Sequence, residues 1–121
     1  MTPQVFSSSF STDNSTVNAT FRGYEVPAGT SLILNVEYFA ISSVAGKRIS
    51  GKARAVFTNV AGTATILDAK VDPYEKRDAS GGFSAGALGF SIASNVVTIT
   101  GTGFGGQGAT VWSVNIESIY V

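Results

Sequence analysis

From Thr16 onward, apolar and polar positions alternate with a period of two, the repeat of an extended chain whose side chains point to opposite faces in turn. Val17, Ala19 and Phe21 alternate with Asn18, Thr20 and Arg22, which predicts a strand with one buried face. Val26-Pro27-Ala28-Gly29-Thr30 reads as a turn, in which Pro27 fixes one φ and Gly29 is free to take a positive one. A long strand follows over 31–42. Leu32, Leu34, Val36, Tyr38 and Ala40 share one face, and Ile33, Asn35, Glu37, Phe39 and Ile41 share the other. Both faces carry apolar residues, so this strand is expected to be central and covered on both sides, with an interface outside it.

The alternation continues to the end of the chain. After a loop at 43–47, residues 49–59 form a strand with Lys52 and Arg54 on one face and Ala53, Ala55 and Phe57 on the other. Ala61-Gly62-Thr63 turns the chain into 64–71, where the alternation is blurred. Asp72-Pro73-Tyr74-Glu75-Lys76-Arg77-Asp78 has the marks of a short helix: Asp72 as cap, Pro73 at the first helical position and Glu75 completing a capping box. Residues 83–93 and 96–101 are predicted strands around Ser94-Asn95, a two-residue turn that Asn can enter with positive φ. The clearest strand is the last. Over 109–121, Trp112, Val114, Ile116, Ser118 and Tyr120 occupy one face, which makes Trp112 a core residue. Seven or eight short antiparallel strands with glycine-rich turns predict an all-β fold, a single β-sandwich or jelly-roll-like domain over 16–121. Residues 1–15 are rich in Ser and Thr, show no consistent period, and hold the apolar residues Val5, Phe6 and Phe10. They read as an extended N-terminal arm, with those three residues as its anchors on a neighbour.

Composition narrows the chemistry. The 121 residues include no Cys and no His, so disulfides, thiol nucleophiles, the commonest metal ligand and the commonest general base are all missing. Lys and Arg total 8 and Asp and Glu total 8, with no long basic run, which argues against nucleic acid. No apolar stretch is long enough to cross a bilayer, because Leu32–Ile41 is interrupted by Asn35 and Glu37. Met1-Thr2-Pro3-Gln4-Val5-Phe6 has neither the basic nor the apolar region of a secretory signal, so the sequons at Asn14 and Asn18 are expected to be chance matches. Charged residues make up 13% of the chain against roughly 25% in ordinary soluble domains. Five of the charges fall in Asp72–Asp78 and four more are Lys47, Arg48, Lys52 and Arg54, which leaves long stretches of uncharged surface suited to subunit contacts.

No motif carries catalysis. Gly103-Phe104-Gly105-Gly106-Gln107-Gly108 matches a dinucleotide-binding pattern, but a strand follows it where that chemistry needs a helix N-terminus. It reads as a hairpin loop, with Phe104 as an exposed contact residue. Asp72, Glu75 and Asp78 are interleaved with Lys76 and Arg77, which suits a solvated turn better than a cation site. Phe39, Tyr74 and Phe104 are the exposed rings that a sugar would use, and they are scattered in sequence.

Over residues 21–121 the chain resembles bacteriophage tail-fibre and other virion β-sandwich domains. The resemblance lies in Val26-Pro27-Ala28-Gly29-Thr30 before a long apolar strand, in Lys52 and Arg54 on a strand ending at a glycine turn, and in a closing hairpin. That hairpin is Asn95-Val96-Val97-Thr98-Ile99-Thr100-Gly101, then Thr110-Val111-Trp112-Ser113-Val114 leading to Glu117. The resemblance implies a non-enzymatic phage structural module, often assembling as a homotrimer; from the composition, no cofactor or metal is expected. Such modules usually end much longer proteins, whereas this chain has its own Met1 and an arm. The expectation is therefore a capsid decoration, or cement, protein on the virion surface that contacts the major capsid protein and itself. The alternative is a small tail or fibre component that binds a host-surface receptor or polysaccharide. The residues expected to contact partners are Val5, Phe6, Phe10, Phe39 and Phe104.

Overall fold

Eight strands pair into two antiparallel sheets in a computed structural model that describes residues 3–12, 18–42, 48–77, 87–102 and 109–121. In chain order they are β1 (Gln4–Thr12), β2 (Asn18–Glu25), β3 (Thr30–Ser42), β4 (Arg48–Asn59), β5 (Ala64–Arg77), β6 (Ala87–Ala93), β7 (Val96–Thr102) and β8 (Thr110–Tyr120). The larger sheet has five strands in the order β1-β8-β3-β4-β5, and the smaller has three in the order β2-β7-β6. The fold is an all-β sandwich, as the alternation predicts, and no helix occurs among the described residues.

The core lies where the two inner faces meet. Leu32, Leu34, Val36, Tyr38 and Ala40 of β3, Ala53, Ala55 and Phe57 of β4, and Trp112, Val114 and Ile116 of β8 are all buried. Phe21, Tyr24, Leu88, Val97 and Ile99 close over them from the smaller sheet. Trp112 is fully buried, and its ring packs 5.3 Å from Phe21 and 6.2 Å from Tyr38, centroid to centroid.

The turns follow their residue types. Thr30 N–H donates to Pro27 O at 3.1 Å and Gly29 has φ 82°, the left-handed position that the Pro-Ala-Gly-Thr order anticipates. Ser94 and Asn95 both have positive φ, 50° and 63°, the two-residue hairpin geometry that matches strand twist. Two asparagines then tie three turns together. Buried Asn59 donates through Nδ2 to Val26 O at 2.8 Å and accepts from Gly62 N–H at 2.8 Å. Asn95 accepts from Ala64 N–H at 2.8 Å through Oδ1, donates to Gly62 O at 2.9 Å, and its backbone oxygen accepts from Val26 N–H at 2.9 Å.

Two expectations are corrected. Gln4–Thr12, read as part of an arm, is the edge strand β1 of the body's own sheet, paired with β8 from Gln4↔Ser118 to Thr12↔Thr110. Its period of two is present but masked, because Ser8 separates Phe6 from Phe10 on the inner face. The segment 72–77, read as a helix, continues β5. Pro73 is tolerated there because β5 is an edge strand and the register shifts beside it, between Ser50↔Glu75 and Gly51↔Pro73. β2 keeps Phe21 buried between exposed Thr20 and Arg22, as the alternation predicts, and a bulge between Thr20 and Arg22 lets Tyr24 turn inward as well. The apolar residues Phe39 and Ile41 on the outer face of β3 are 42% and 44% exposed.

Candidate functional site

The strand pairing sorts the outward side chains of the larger sheet into rows that run across its strands. One row is Ser9, Ser113, Phe39 and Ser50, from β1 through β8 and β3 to β4. The next is Ser7, Asn115, Glu37 and Lys52, and the one beyond is Val5, Glu117, Asn35, Arg54 and Lys70. Apolar residues flank this polar band at both ends, Val111 and Ile41 on one side and Ile119, Ile33 and Val56 on the other. The face is therefore amphipathic along the strands rather than uniformly polar.

Two shallow depressions adjoin on this face and share Glu37 and Asn115. One, of about 570 Å³, has Phe39 in its lining with Ser7, Ser9, Ser50 and Ser113. The other, of about 500 Å³, is lined by three carboxylates, Glu37, Asp68 and Glu117, and three cations, Lys52, Arg54 and Lys70. Their charges cancel. Several polar groups are already oriented: Ser7 Oγ donates to Asn115 Oδ1 at 2.7 Å, Asn35 Nδ2 donates to Glu117 Oε1 at 3.3 Å, and Lys52 Nζ lies 4.0 Å from Glu37 Oε1. With its Oδ1 engaged by Ser7, the Asn115 amide keeps its NH₂ as a donor.

A third depression, of about 370 Å³, lies at the open side between β1 and β2. The Arg22 guanidinium stands there 4.3 Å from the Phe6 ring centroid and 5.3 Å from that of Tyr24. This cation–π stack closes the side of the sandwich. Tyr24 and Tyr120 line the same place, and burial pushes both phenols above the usual tyrosine value, with Arg22 partly opposing the shift. Glu25 adds to the rise at Tyr120, whose hydroxyl donates to Glu25 O at 2.5 Å.

The residues expected to contact partners separate into two groups. Val5, 65% exposed, and Phe39 both lie on the outer face. Phe6 and Phe10 pack against the core instead, Phe10 with its ring 4.9 Å from Phe21, so they serve this chain's own body. Phe104, the rest of the 103–108 loop and Asp78 lie outside the described residues, as do the side chains of Asp72, Tyr74 and Glu75. Among the described residues no group of three or more Asp and Glu could hold a metal ion. Nothing in the sequence alone singles out the serines around Phe39. Their outward positions follow from the alternation, but their meeting at one ring depends on β8 pairing between β1 and β3, which is not local information.

No protein-family model matches this chain, and no curated protein matches it in sequence. Among solved structures, the crystal structure of the tailspike protein of Acinetobacter baumannii phage AM24 is similar to it, with a TM-score of 0.44 and 10% identity over 96% of this chain. The chain spans about a quarter of that protein's length, 26%. A likeness this slight carries no function.

Proposed function

We propose that this chain is a non-enzymatic structural protein of a phage virion that works by binding through the outer face of its five-stranded sheet. In this reading it is a small tail or fibre component that holds a host-surface polysaccharide. The observation that carries the binding role is the part-exposed Phe39 ring set between Ser113 and Ser50 in an open depression. An aromatic ring ringed by small hydroxyls offers a stacking surface and hydrogen bonds together. The virion assignment rests on the resemblance of residues 21–121 to virion β-sandwich domains.

Capsid decoration is the second reading, with the major capsid protein and further copies in a homotrimer as partners. The exposed apolar corner of Phe39, Ile41 and Val111 favours it as contact area. Its mechanism, however, needs Phe6 and Phe10 free to dock on a neighbour, and both rings pack on this chain's own core. Their packing favours the tail or fibre role. Gold-labelled antibody against the purified protein tests the choice on intact particles. Label on the tail supports the first reading, label over the head supports decoration, and particles without label overturn the virion role.

A further inference from the structure

We infer that the ligand of the outer face is an uncharged polysaccharide, one of whose pyranose rings stacks on Phe39. This rests on the reading that the outer face is the binding face. Three observations select this chemistry over others.

First, Phe39 projects from the middle of its row, with Ser113 directly opposite on β8 and Ser50 directly opposite on β4. Small neighbours leave the ring accessible to a flat, weakly apolar partner. Ser hydroxyls donate and accept equally well, as sugar hydroxyls do. Second, the adjoining row supplies acceptors and donors in pairs: Glu37 beside Lys52, with side chains 66% and 59% exposed, and Asn115 oriented by Ser7. Adjacent hydroxyls on a sugar ring need both kinds of partner at close spacing. Third, the three carboxylates and three cations in the neighbouring depression sum to no net charge. An acidic polysaccharide or a nucleic acid would need an excess of cations, and a basic peptide an excess of carboxylates. Each depression is the size of a small-ligand site, and the two are contiguous, which suits a chain of linked rings better than a single compact molecule.

The test uses the full chain and NMR titration with neutral tetrasaccharides of glucose, mannose, galactose and N-acetylglucosamine at millimolar concentration. Tetragalacturonate serves as the acidic comparison, and binding to host cells is measured alongside. At least one neutral tetramer should shift the signals of Phe39, Ser50 and Ser113. Phe39→Ala should weaken that binding about tenfold, the equivalent of roughly 1.4 kcal/mol, and Phe39→Tyr should retain it. Phe39→Tyr should melt like the parent, whereas Phe39→Ala, which removes a part-buried ring from a central strand, should stay folded with a lower melting temperature. If no neutral tetramer shifts these signals while the protein still binds cells, or if tetragalacturonate binds instead, the inference is wrong and the host-binding reading stands. Absence of cell binding by the parent protein overturns the underlying reading as well.

Discussion

Gly101 lies against the Trp112 indole so closely that a Cβ built on it would stand 2.7 Å from Trp112 Cε2, and nearer still to the Phe21 ring. Both rings are buried and pack on each other, so neither has room to withdraw. Gly101→Ala is expected to cost about 1–3 kcal/mol through overpacking. Urea denaturation should show a lower midpoint at an unchanged slope.

Asn95 joins two demands that separate by substitution. Its side chain bonds Ala64 N–H and Gly62 O, and its backbone sits at φ 63°. Asn95→Gly keeps the backbone conformation and loses the bonds, an expected cost of about 1–2 kcal/mol. Asn95→Ala should cost roughly 1 kcal/mol more, because a Cβ resists the left-handed conformation. Equal melting temperatures for the two variants would show that the positive φ contributes nothing.

Removal of residues 2–12 should unsettle the body rather than only abolish docking. The deletion strips β1 from β8, takes Phe6 and Phe10 from the core and leaves Arg22 without the Phe6 ring. Two half-buried phenylalanines alone amount to about 2–4 kcal/mol, and a bare β8 edge invites aggregation. Size-exclusion chromatography with thermal melting checks this, and a truncated chain as stable and monomeric as the parent would return β1 to the status of an arm.

Stability should fall in strong alkali. Burial raises the phenol pKa values of Tyr24 and Tyr120 in the folded chain above those in the unfolded one. Above about pH 10 the unfolded chain gives up these protons first, so the contribution is complete below that pH and is lost as pH rises through the raised values. Denaturant midpoints measured across this range should decline, and Tyr24→Phe should flatten the decline.

The parts of the fold legible in the sequence are those set by local pattern. β3, β4 and β8 carry alternation that survives in their buried and exposed positions, and Gly29, Ser94 and Asn95 sit in the turns their types favour. Where the sequence misleads, a non-local pairing outweighs a local signal. Asp72, Pro73 and Glu75 would cap a helix in isolation, but pairing with β4 carries them along an edge strand. Phe6 and Phe10 look like free anchors only because nothing nearby in sequence announces β8 as their neighbour. Of the candidate site, Phe39 and Val5 are legible as outward residues, whereas their serine and charged surroundings come from the registers of three other strands.

The central claim is that the outer face of the larger sheet is the binding face. Ser113→Arg tests it directly, because it fills the depression beside Phe39 from an exposed position and leaves the core untouched. The measurement is competition by purified protein against adsorption of the virion to its host cells. The account predicts that the parent protein blocks adsorption and that Ser113→Arg, with an unchanged melting temperature, does not; a variant that competes as well as the parent would contradict it.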